Sequence, residues 1–544
     1  MIVFDHVSIR YSDTTPWVLR DVNLRIDDGQ LVLVAGRTGS GKSTLLGAIN
    51  GHVPHFTGGV LSGRVSVDGL DTAAHRPREL AQAIGVVPQD PLAGFVADVV
   101  EEELAYGMEQ LGIEPQTMRT RVEETLDILG LDGLRGRALR SLSGGQQQRV
   151  AIGSVLATGV RTLVLDEPTS ALDPLSSEEV LAAVLRLVHD IGLTVIVAEH
   201  RLERVASYAD RMILLDGSGG VIEGDTSAVM ATSPLVPPVV ELARLARFTA
   251  IPLSVRQARR LADPLRLALA RKEPDEYPRL PQPDLGEPLP MQTRDRSEPA
   301  GLAVKDLSVV YGRIAAVKQA SLNFPAGSIT VIMGRNGSGK SSLLWALTGV
   351  QAIASGSFLV DGMPLESKGQ DQVRRHLRLV PQNAADLLYL DSVEAECAEA
   401  DTSPGECLRT LNSLTPGIDP TAHPRDLSEG QQLSLALAIQ LAARPRAILL
   451  DEPTRGLDYP AKAALAQILR RLADEGRVVV VVTHDVEFAA EVADRIAVMA
   501  AGEVIQTGTA THVLGSSALF APQVAKVLYP GHWLTPYQVG QALI

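Results

Sequence analysis

Residues 36–44 read "GRTGSGKST", and residues 334–342 read "GRNGSGKSS". Each stretch satisfies the pattern G-x-x-x-x-G-K-[ST], follows an apolar run and precedes a helical pattern. The glycines let backbone N–H groups turn inward and cradle phosphate oxygens, and the start of the next helix adds a partial positive charge. Lys42 and Lys340 would reach the β- and γ-phosphates, and the hydroxyl that follows each would hold Mg²⁺. Two phosphate-binding sites are therefore predicted in one chain.

Other segments recur in the same order in both halves, as expected for an internal duplication. "VVPQD" returns as "LVPQN", "SLSGGQ" as "DLSEGQ", "LVLDEPTSALDP" as "ILLDEPTRGLDYP" and "VIVAEH" as "VVVTHD". We expect two domains, 1–230 and 301–515, each followed by a helical extension, 231–271 and 516–544. The stretch 272–300 has seven prolines in 29 residues, which predicts a semi-extended linker reaching up to about 90 Å.

Composition narrows the class of protein. A chain of 544 residues is too long for one core, and a net charge of −14 makes it a poor partner for nucleic acid. Two cysteines, Cys397 and Cys407, supply neither a disulfide framework nor a metal set, so a reducing compartment is expected. No signal peptide is expected, and the apolar runs are of strand length. Other subunits would have to supply any membrane spans.

Carboxylates follow a buried-strand pattern in each half. Asp166–Glu167 and Asp451–Glu452 each come directly after an apolar run. An Asp at the C-terminal end of a strand can hold Mg²⁺, and the adjacent Glu can polarise an attacking water. Because each pair follows a phosphate loop and precedes "PT", we interpret it as part of a hydrolytic site.

Histidine and glutamine recur beside these groups. His200 and His484 end apolar strands, and duplication at the same place favours γ-phosphate sensors over structural histidines. Gln89 and Gln382 follow strand-like runs and could link a bound nucleotide to a moving segment.

The order of the motifs resembles that of the ATP-binding cassette (ABC) ATPases. It runs from the phosphate loop through the glutamine loop, "LSGGQ", the Asp–Glu pair and the "SALD" loop to the histidine. The resemblance implies an α/β fold with two tandem P-loop (RecA-like) domains, each with helical and antiparallel β subdomains. It implies ATP hydrolysis with ATP and Mg²⁺, and adenine stacking on Tyr11 and Tyr311. A soluble P-loop kinase would have no use for "LSGGQ".

The family works as a head-to-tail pair, in which one domain's signature caps ATP on the other's phosphate loop. The resemblance therefore implies intramolecular pairing of the two domains, with Lys42 facing the signature at Ser428 and Lys340 facing the signature at Ser143. Asp173 and Asp458 look like the aspartates that connect the two sites.

The residues expected at these sites form three groups. The nucleotide-binding group is Tyr11, Gly36, Arg37, Thr38, Gly39, Ser40, Gly41, Lys42, Ser43, Thr44, Ser143, Gly145, Gln146, Tyr311, Gly334, Arg335, Asn336, Gly337, Ser338, Gly339, Lys340, Ser341, Ser342, Ser428, Gly430 and Gln431. The group expected to act in hydrolysis is Gln89, Glu167, His200, Gln382, Glu452 and His484. The expected Mg²⁺ ligands are Ser43, Gln89, Asp166, Ser341, Gln382 and Asp451.

The segment 87–113 resembles the ATPases of energy-coupling factor (ECF) importers, where an acidic helix follows the glutamine loop. That resemblance implies docking of arginine-bearing helices of a transmembrane T component, a separate substrate-binding S component, and a peripheral position on the cytoplasmic face of the membrane. A fused sugar-importer ATPase and a soluble ribosome-acting ABC protein remain alternatives. The acids expected to dock are Asp98, Glu101, Glu102 and Glu103 in the first half, and Asp391, Glu394, Glu396 and Glu399 in the second.

The second signature carries Glu429 where the first has Gly144. A carboxylate beside a polyanion is unfavourable if it points inward. By the cross-pairing, Glu429 would cap the nucleotide on Lys42, so we expect two competent but unequal sites, with weaker closure at the Lys42 site.

Overall fold

A computed structural model describes residues 1–12, 14–170, 172–274, 301–365 and 370–544. These residues form two compact units, one of Met1–Val240 with Ala250–Ser254 and one of Glu241–Thr249 with Val255–Ile544. Most of the expected linker, from residue 275 onward, lies outside the described residues.

Within its described residues, the first unit combines ten strands with ten α-helices. The strands are β1 (Ile2–Arg10), β2 (Leu19–Ile26), β3 (Leu31–Gly36), β4 (Val60–Val67), β5 (Leu70–Asp71), β6 (Ile84–Val87), β7 (Thr162–Asp166), β8 (Thr194–Ala198), β9 (Arg211–Leu215) and β10 (Val221–Asp225). The helices are α1 (Lys42–Ile49), α2 (His52–His55), α3 (Pro77–Leu80), α4 (Pro91–Gly94), α5 (Val100–Gln110), α6 (Pro115–Leu129), α7 (Gly144–Leu156), α8 (Pro174–His189), α9 (Leu202–Val205) and α10 (Thr226–Thr232). Single 3₁₀ turns lie at Asp132–Leu134 and Leu139–Ser141.

Two sheets organise this unit. A four-stranded antiparallel sheet has the order β2-β1-β4-β5, and a six-stranded sheet has the order β10-β9-β3-β8-β7-β6. In the larger sheet β3 pairs in parallel with β8 and β9, and only β10 runs antiparallel, to β9. All residues of β3 and β8 are buried, because a parallel strand covered on both faces reads as an unbroken apolar run. Helices α5, α6 and α7 pack in one apolar cluster with α8 and one face of the larger sheet, and this cluster includes Leu104, Leu126 and Val150.

The second unit repeats this plan. Its strands are β11 (Gly301–Tyr311), β12 (Ile314–Pro325), β13 (Ser328–Met333), β14 (Ser355–Val360), β15 (Met363–Leu365), β16 (Leu377–Val380), β17 (Ala447–Asp451), β18 (Val478–Val482), β19 (Arg495–Ala500) and β20 (Glu503–Thr509). Its helices are α11 (Pro238–Leu245, in this unit from Glu241 onward), α12 (Val255–Leu261), α13 (Asp263–Leu269), α14 (Lys340–Leu347), α15 (Gln370–His376), α16 (Val393–Ala400), α17 (Glu406–Leu414), α18 (Glu429–Ala442), α19 (Tyr459–Asp474), α20 (Val486–Val492), α21 (Ala510–Ser516), α22 (Gln523–Leu528) and α23 (Pro536–Leu543). 3₁₀ turns lie at Ala384–Leu387 and Pro424–Asp426. The sheet orders, β12-β11-β14-β15 and β16-β17-β18-β13-β19-β20, are those of the first unit.

The two helical extensions meet inside the second unit. Arg259 on α12 donates to the carbonyl oxygen of Lys526 at 2.6 Å, and Arg266 on α13 donates to that of Val527 at 2.7 Å. These arginines satisfy carbonyl oxygens at the end of α22 that have no partner within the helix. Thr535 caps α23 by accepting from Gln538 N at 3.2 Å. The extension that follows the first domain therefore packs on the C-terminal extension.

The C-terminal extension also contacts α20, the helix that follows His484. The backbone N–H of Gln523 donates to Glu487 at 2.8 Å. Ala521, Ala525 and Leu534 join the main apolar cluster of the second unit. The extension is thus packed directly against the segment that carries a candidate catalytic histidine.

Glu491 on α20 provides a test of how this helix is buried. Burial raises the pKa of Glu491 to about 7; Asp485 adds to the rise, Lys462 opposes it and Glu241 adds to it. Since the folded chain keeps this proton to a higher pH than the unfolded chain, stability is lost as pH rises from about 4.5 to about 7. Glu491→Gln is expected to raise the free energy of unfolding by about 1–2 kcal/mol at pH 8 and to change it little at pH 4.5.

Urea unfolding at both pH values measures this difference. Glu399→Gln, on the exposed face of α16, is the matched control. A Glu491→Gln variant that is less stable than the parent at pH 8 would show that the carboxylate stabilises the fold.

Candidate nucleotide-binding sites

The first phosphate loop joins β3 to α1. Gly41 adopts φ 102° immediately before α1, a conformation that glycine reaches without strain. Lys42 is buried, and its Nζ donates to the carbonyl oxygens of Gly36 at 3.0 Å and Arg37 at 3.2 Å. The loop therefore folds around the lysine amine at the N-terminal end of a helix, as the sequence predicts.

The second phosphate loop has the same geometry between β13 and α14. Gly339 adopts φ 98°. The Nζ of Lys340 donates to the carbonyl oxygens of Gly334 at 2.8 Å and Arg335 at 3.0 Å. The duplication thus extends to the hydrogen bonds of the loop.

Each loop hydroxyl lies beside the aspartate that ends another strand of the same sheet. Ser43 Oγ donates to Asp166 at 3.4 Å, and Ser341 Oγ donates to Asp451 at 3.1 Å. These contacts bring together two of the three predicted Mg²⁺ ligands of each half, the serine and the aspartate, because the carboxyl ends of parallel strands lie at one edge of the sheet.

Burial changes the chemistry of these aspartates. It raises the pKa of Asp166, with the Glu167 charge adding to the rise. Burial likewise raises the pKa of Asp451 to about 6, although the Ser341 hydroxyl opposes the rise. A divalent cation would offset the cost of keeping either carboxylate charged.

The glutamates and histidines form pairs. His200 Nε2 lies 2.7 Å from Glu167, and His484 Nδ1 lies 2.8 Å from Glu452. Burial alone would raise the pKa of Glu452, but the hydrogen bond and charge of His484 hold it below the ordinary value. Glu452 is therefore kept as a carboxylate, the form that a general base requires.

Both glutamates have an uncommon backbone. Glu167 adopts φ 48° and Glu452 φ 49°, the left-handed region that non-glycine residues seldom occupy. Strained conformations of this kind concentrate at functional sites.

The two glutamines differ in position. Gln89 lies beside the first glutamate, since its side-chain amide donates to Glu167 at 3.3 Å, whereas Gln382 is exposed after β16.

Tyr11 and Tyr311 are both exposed, by 40% and 38%, which leaves each ring a free face. The Tyr11 hydroxyl lies 2.8 Å from Thr44 Oγ1 in the first turn of α1. This bond fixes the first ring beside the phosphate loop, where the sequence expects adenine to stack.

The signature serines and glutamines cap their own helices. Ser143 accepts from Gln146 N at 3.3 Å, and the Gln146 side chain accepts from Ser143 N at 3.0 Å. Ser428 and Gln431 repeat both bonds at the same distances. The glutamine side chain is thus engaged in a capping box, a structural task that the sequence assignment to nucleotide binding does not include.

Asp173 and Asp458 are also helix caps. Asp173 accepts from Leu175 N and Ser176 N, both at 3.1 Å, and Asp458 accepts from Ala461 N at 2.9 Å. These bonds fix where α8 and α19 begin.

The Glu429 side chain lies against Gly456 of its own unit. A methyl group built on Gly456, in the loop before α19, would lie only 1.2 Å from Glu429 Oε2. The carboxylate therefore fills the space over Gly456, which adopts φ 68°. The sequence of the first half has Gly144 and Ala171 at the two corresponding positions.

The acids expected to dock a partner divide into two kinds. Glu103 and Glu396 are buried; Glu103 accepts from Val96 N and Ala97 N at 2.9 Å, and Glu396 accepts from Leu390 N at 2.6 Å. They hold the loop that precedes their helix. The exposed acids are Asp98, Glu101, Glu102, Asp391, Glu394 and Glu399.

One residue near the site has no part in the sequence prediction. Glu199, directly before His200, is 1% exposed and hydrogen-bonds Thr169. A comparison of the two repeats could have drawn attention to Glu199, because the second half has Thr483 at the corresponding position.

The structure fits a bound nucleotide at both loops. A Cβ added to Gly39 or Gly337 would meet no atom within 4 Å, so each loop crest is open. The hydroxyls of Ser40 and Ser338 are buried without a hydrogen-bond partner among the described residues. An ATP phosphate chain would supply acceptors there, with Mg²⁺ held by Ser43 and Asp166, or by Ser341 and Asp451.

Comparison with known proteins defines the class. A model of the ABC transporter family matches residues 19–170 and 317–455. A Streptomyces coelicolor protein named as an ABC transporter ATP-binding protein is 53% identical over 563 residues, covering 100% of each chain. A similarly named Methanosarcina mazei protein is 32% identical, over 97% of this chain and 93% of that one. The chain belongs to the ABC transporter ATPase family and carries two tandem ABC domains.

Proteins of this family bind ATP, generally with Mg²⁺, hydrolyse it and work with membrane permease subunits. Among solved structures, cbiO1 from Clostridium perfringens, described as part of the ABC transporter complex cbiONQ, matches with a TM-score of 0.39 and 30% identity, over 42% of this chain and 90% of that chain. Within the described ranges, no helix of this chain is both long and apolar enough to cross a membrane.

Proposed function

We propose that the chain is the motor subunit of an ECF-type importer, in which ATP binding closes the two ABC domains on each other and hydrolysis reopens them. Two composite sites would pair Lys42 with the Ser428 signature and Lys340 with the Ser143 signature. The chain would lie on the cytoplasmic face of the membrane, and its membrane partners would be a T component and a substrate-binding S component.

The observation that carries this proposal is a groove in the first unit, directly after Gln89. It has a volume of about 410 Å³ and is lined by His52, Leu80, Val96, Glu103, Tyr106 and Val155. These residues come from α2, α3, α5, α7 and the loop that follows α4. The groove thus lies where the helical layer meets the elements next to the nucleotide site, so a partner seated there would sense domain closure.

The rim of the groove suits an amphipathic, basic segment. Two aliphatic side chains close together in the sequence are exposed here, Val96 by 62% and Leu92 by 45%. Asp98, Glu101 and Glu102 are exposed along the start of α5. Apolar side chains flanked by carboxylates match a helix that presents an apolar anchor and arginines, as the ECF resemblance implies for a T component.

Within a site, Glu167 or Glu452 would polarise the attacking water while its histidine orients the glutamate. Bound Mg²⁺ would neutralise charge on the transferred phosphoryl group. Lys42 and Lys340, buried at the start of their helices, would position the β- and γ-phosphates.

Val96→Arg tests the groove, because it adds bulk and positive charge at an exposed aliphatic lining position. We expect binding to proteoliposomes that contain the T component to fall at least about tenfold, while ATP hydrolysis by the free chain stays within about twofold. Ile222→Arg, at another exposed aliphatic site, on β10, should change neither quantity.

If Val96→Arg bound the T-component proteoliposomes as well as the parent chain does, the groove would not be part of the interface. Copurification of the parent chain with ribosomes, or with a sugar permease instead of a T component, would support one of the two alternative functions.

A further inference from the structure

Glu199 lies at the junction of two functional segments of the first unit. It follows β8 and precedes His200, while its Oε1 accepts from Thr169 N at 2.9 Å and from Thr169 Oγ1 at 2.7 Å. Thr169 lies two residues after Glu167. One buried carboxylate oxygen therefore joins the strand end that carries the histidine to the segment that carries the glutamate.

The junction is extended by Arg204 on α9. Its Nη1 donates to Thr169 O at 2.7 Å, to Thr169 Oγ1 at 3.0 Å and to Ser177 Oγ on α8 at 2.8 Å. Burial raises the pKa of Glu199, and the Thr169 hydroxyl and the Arg204 charge oppose this rise. The chain of contacts runs from Glu199 through Thr169 and Arg204 to α8, whose first turn is capped by Asp173.

The second unit makes the same connection with different chemistry. Thr483, which precedes His484, lies with its hydroxyl 3.3 Å from that of Thr454. Lys462 on α19 then forms a buried ion pair with Asp485 at 2.7 Å. Each half therefore ties its histidine segment to the helix after its Asp–Glu box. The first uses Glu199, directly before its histidine, and the second uses Asp485, directly after its histidine.

A buried carboxylate is costly unless its hydrogen bonds are made. The Oε2 atom of Glu199 has no hydrogen-bond partner among the described residues, so both of its hydrogen bonds are at Oε1, to Thr169. A neutral threonine suffices in the second half, which indicates that the fold itself does not require a carboxylate here.

We propose that Glu199 is a positioning residue of the first hydrolytic site, holding His200 at hydrogen-bond distance from Glu167 through Thr169. This proposal rests on the roles proposed above for Glu167 and His200. The second site is supported by other residues, Thr483 and Asp485, so the two sites can be altered separately.

The test uses the full chain with Glu452→Gln, so that the remaining turnover comes from the first site. In this background Glu167→Gln sets the floor. Glu199→Ala is expected to lower the residual kcat about tenfold with the KM for ATP within about twofold, because orientation is lost and binding is not. Glu199→Gln, whose amide oxygen can still accept both bonds from Thr169, should restore kcat to within about threefold of the background.

The matched control is Thr72→Val in the same background. Thr72 is also fully buried in the first unit and donates to Ala48 O, near the C-terminal end of α1, at 2.9 Å. Thr72→Val therefore reports the effect of removing a buried hydrogen bond that does not involve Glu199 or Thr169. We expect its kcat and KM to be unchanged.

Three outcomes overturn the proposal. In the first outcome, Glu199→Ala keeps the full residual activity of the background while Glu167→Gln is inactive. Glu199 then has no positioning role, and the assignment of the site to Glu167 still holds. A loss in Glu199→Ala that Thr72→Val shares, or that Glu199→Gln does not restore, reflects general destabilisation. Residual activity that survives Glu167→Gln overturns the assignment of Glu167 itself, and the role of Glu199 falls with it.

Discussion

Glu452→Gln is expected to lower steady-state ATP turnover by at least about fiftyfold, whereas Glu167→Gln should leave more than about one fifth. The Glu452 carboxylate accepts both from the His484 ring and from the His484 backbone N–H, so it is held in the form that acts as a base. Its site would be capped by the Ser143 signature with two glycines, while the Glu167 site would be capped by a signature that carries Glu429. Release of inorganic phosphate at saturating ATP measures both variants.

One result would contradict the prediction that Glu452 contributes more to turnover than Glu167. If Glu452→Gln left turnover unchanged while Glu167→Gln abolished it, the site on the first phosphate loop would be the dominant one. The Glu429 carboxylate, lying over Gly456, would then impose no penalty on the nucleotide that faces it.

Ser143→Arg is expected to reduce turnover by at least about fiftyfold even though Lys340, Asp451 and Glu452 are untouched. Ser143 belongs to the first unit and Lys340 to the second, so a loss of this size means that a site is built from both. The arginine would displace the serine hydroxyl and remove the cap on α7, at the helix N-terminus proposed to face the γ-phosphate.

Thr120→Arg on α6 is the control, because it places the same side chain at an exposed hydroxyl residue of the same helical layer. Retention of ATP binding, followed with a fluorescent nucleotide, separates loss of capping from loss of the phosphate loop. Normal turnover by Ser143→Arg would mean that each unit hydrolyses ATP without the other's signature.

The sequence predicts those parts of the site that depend on local pattern. The phosphate loops need glycine at fixed spacing, and they lie where the motif places them, with Gly41 and Gly339 at positive φ. The Asp–Glu boxes and histidines follow unbroken apolar strands, and parallel pairing brings the ends of those strands together. The fold class and the ATPase family are both confirmed.

Side-chain partners beyond the local pattern could not be predicted in this way. Glu103 and Glu396 look like surface acids in a helical sequence, yet each turns back to bind the backbone of the preceding loop. Gln146 and Gln431 are predicted to contact nucleotide, and the pattern did not show that each also closes a capping box. A carboxylate or amide takes the nearest unsatisfied N–H, and which N–H is nearest depends on how the chain folds back.

The filled space over Gly456 couples two positions of this chain. A Cβ at Gly456 would overlap the Glu429 carboxylate, so Gly456→Ala requires that carboxylate to turn away and also places a methyl group on a backbone at φ 68°. Glu429→Gly removes the overlap and leaves only the cost of the backbone conformation. The two substitutions together give the combination found in the first half, Gly144 with Ala171, and their effects on stability are expected to be non-additive.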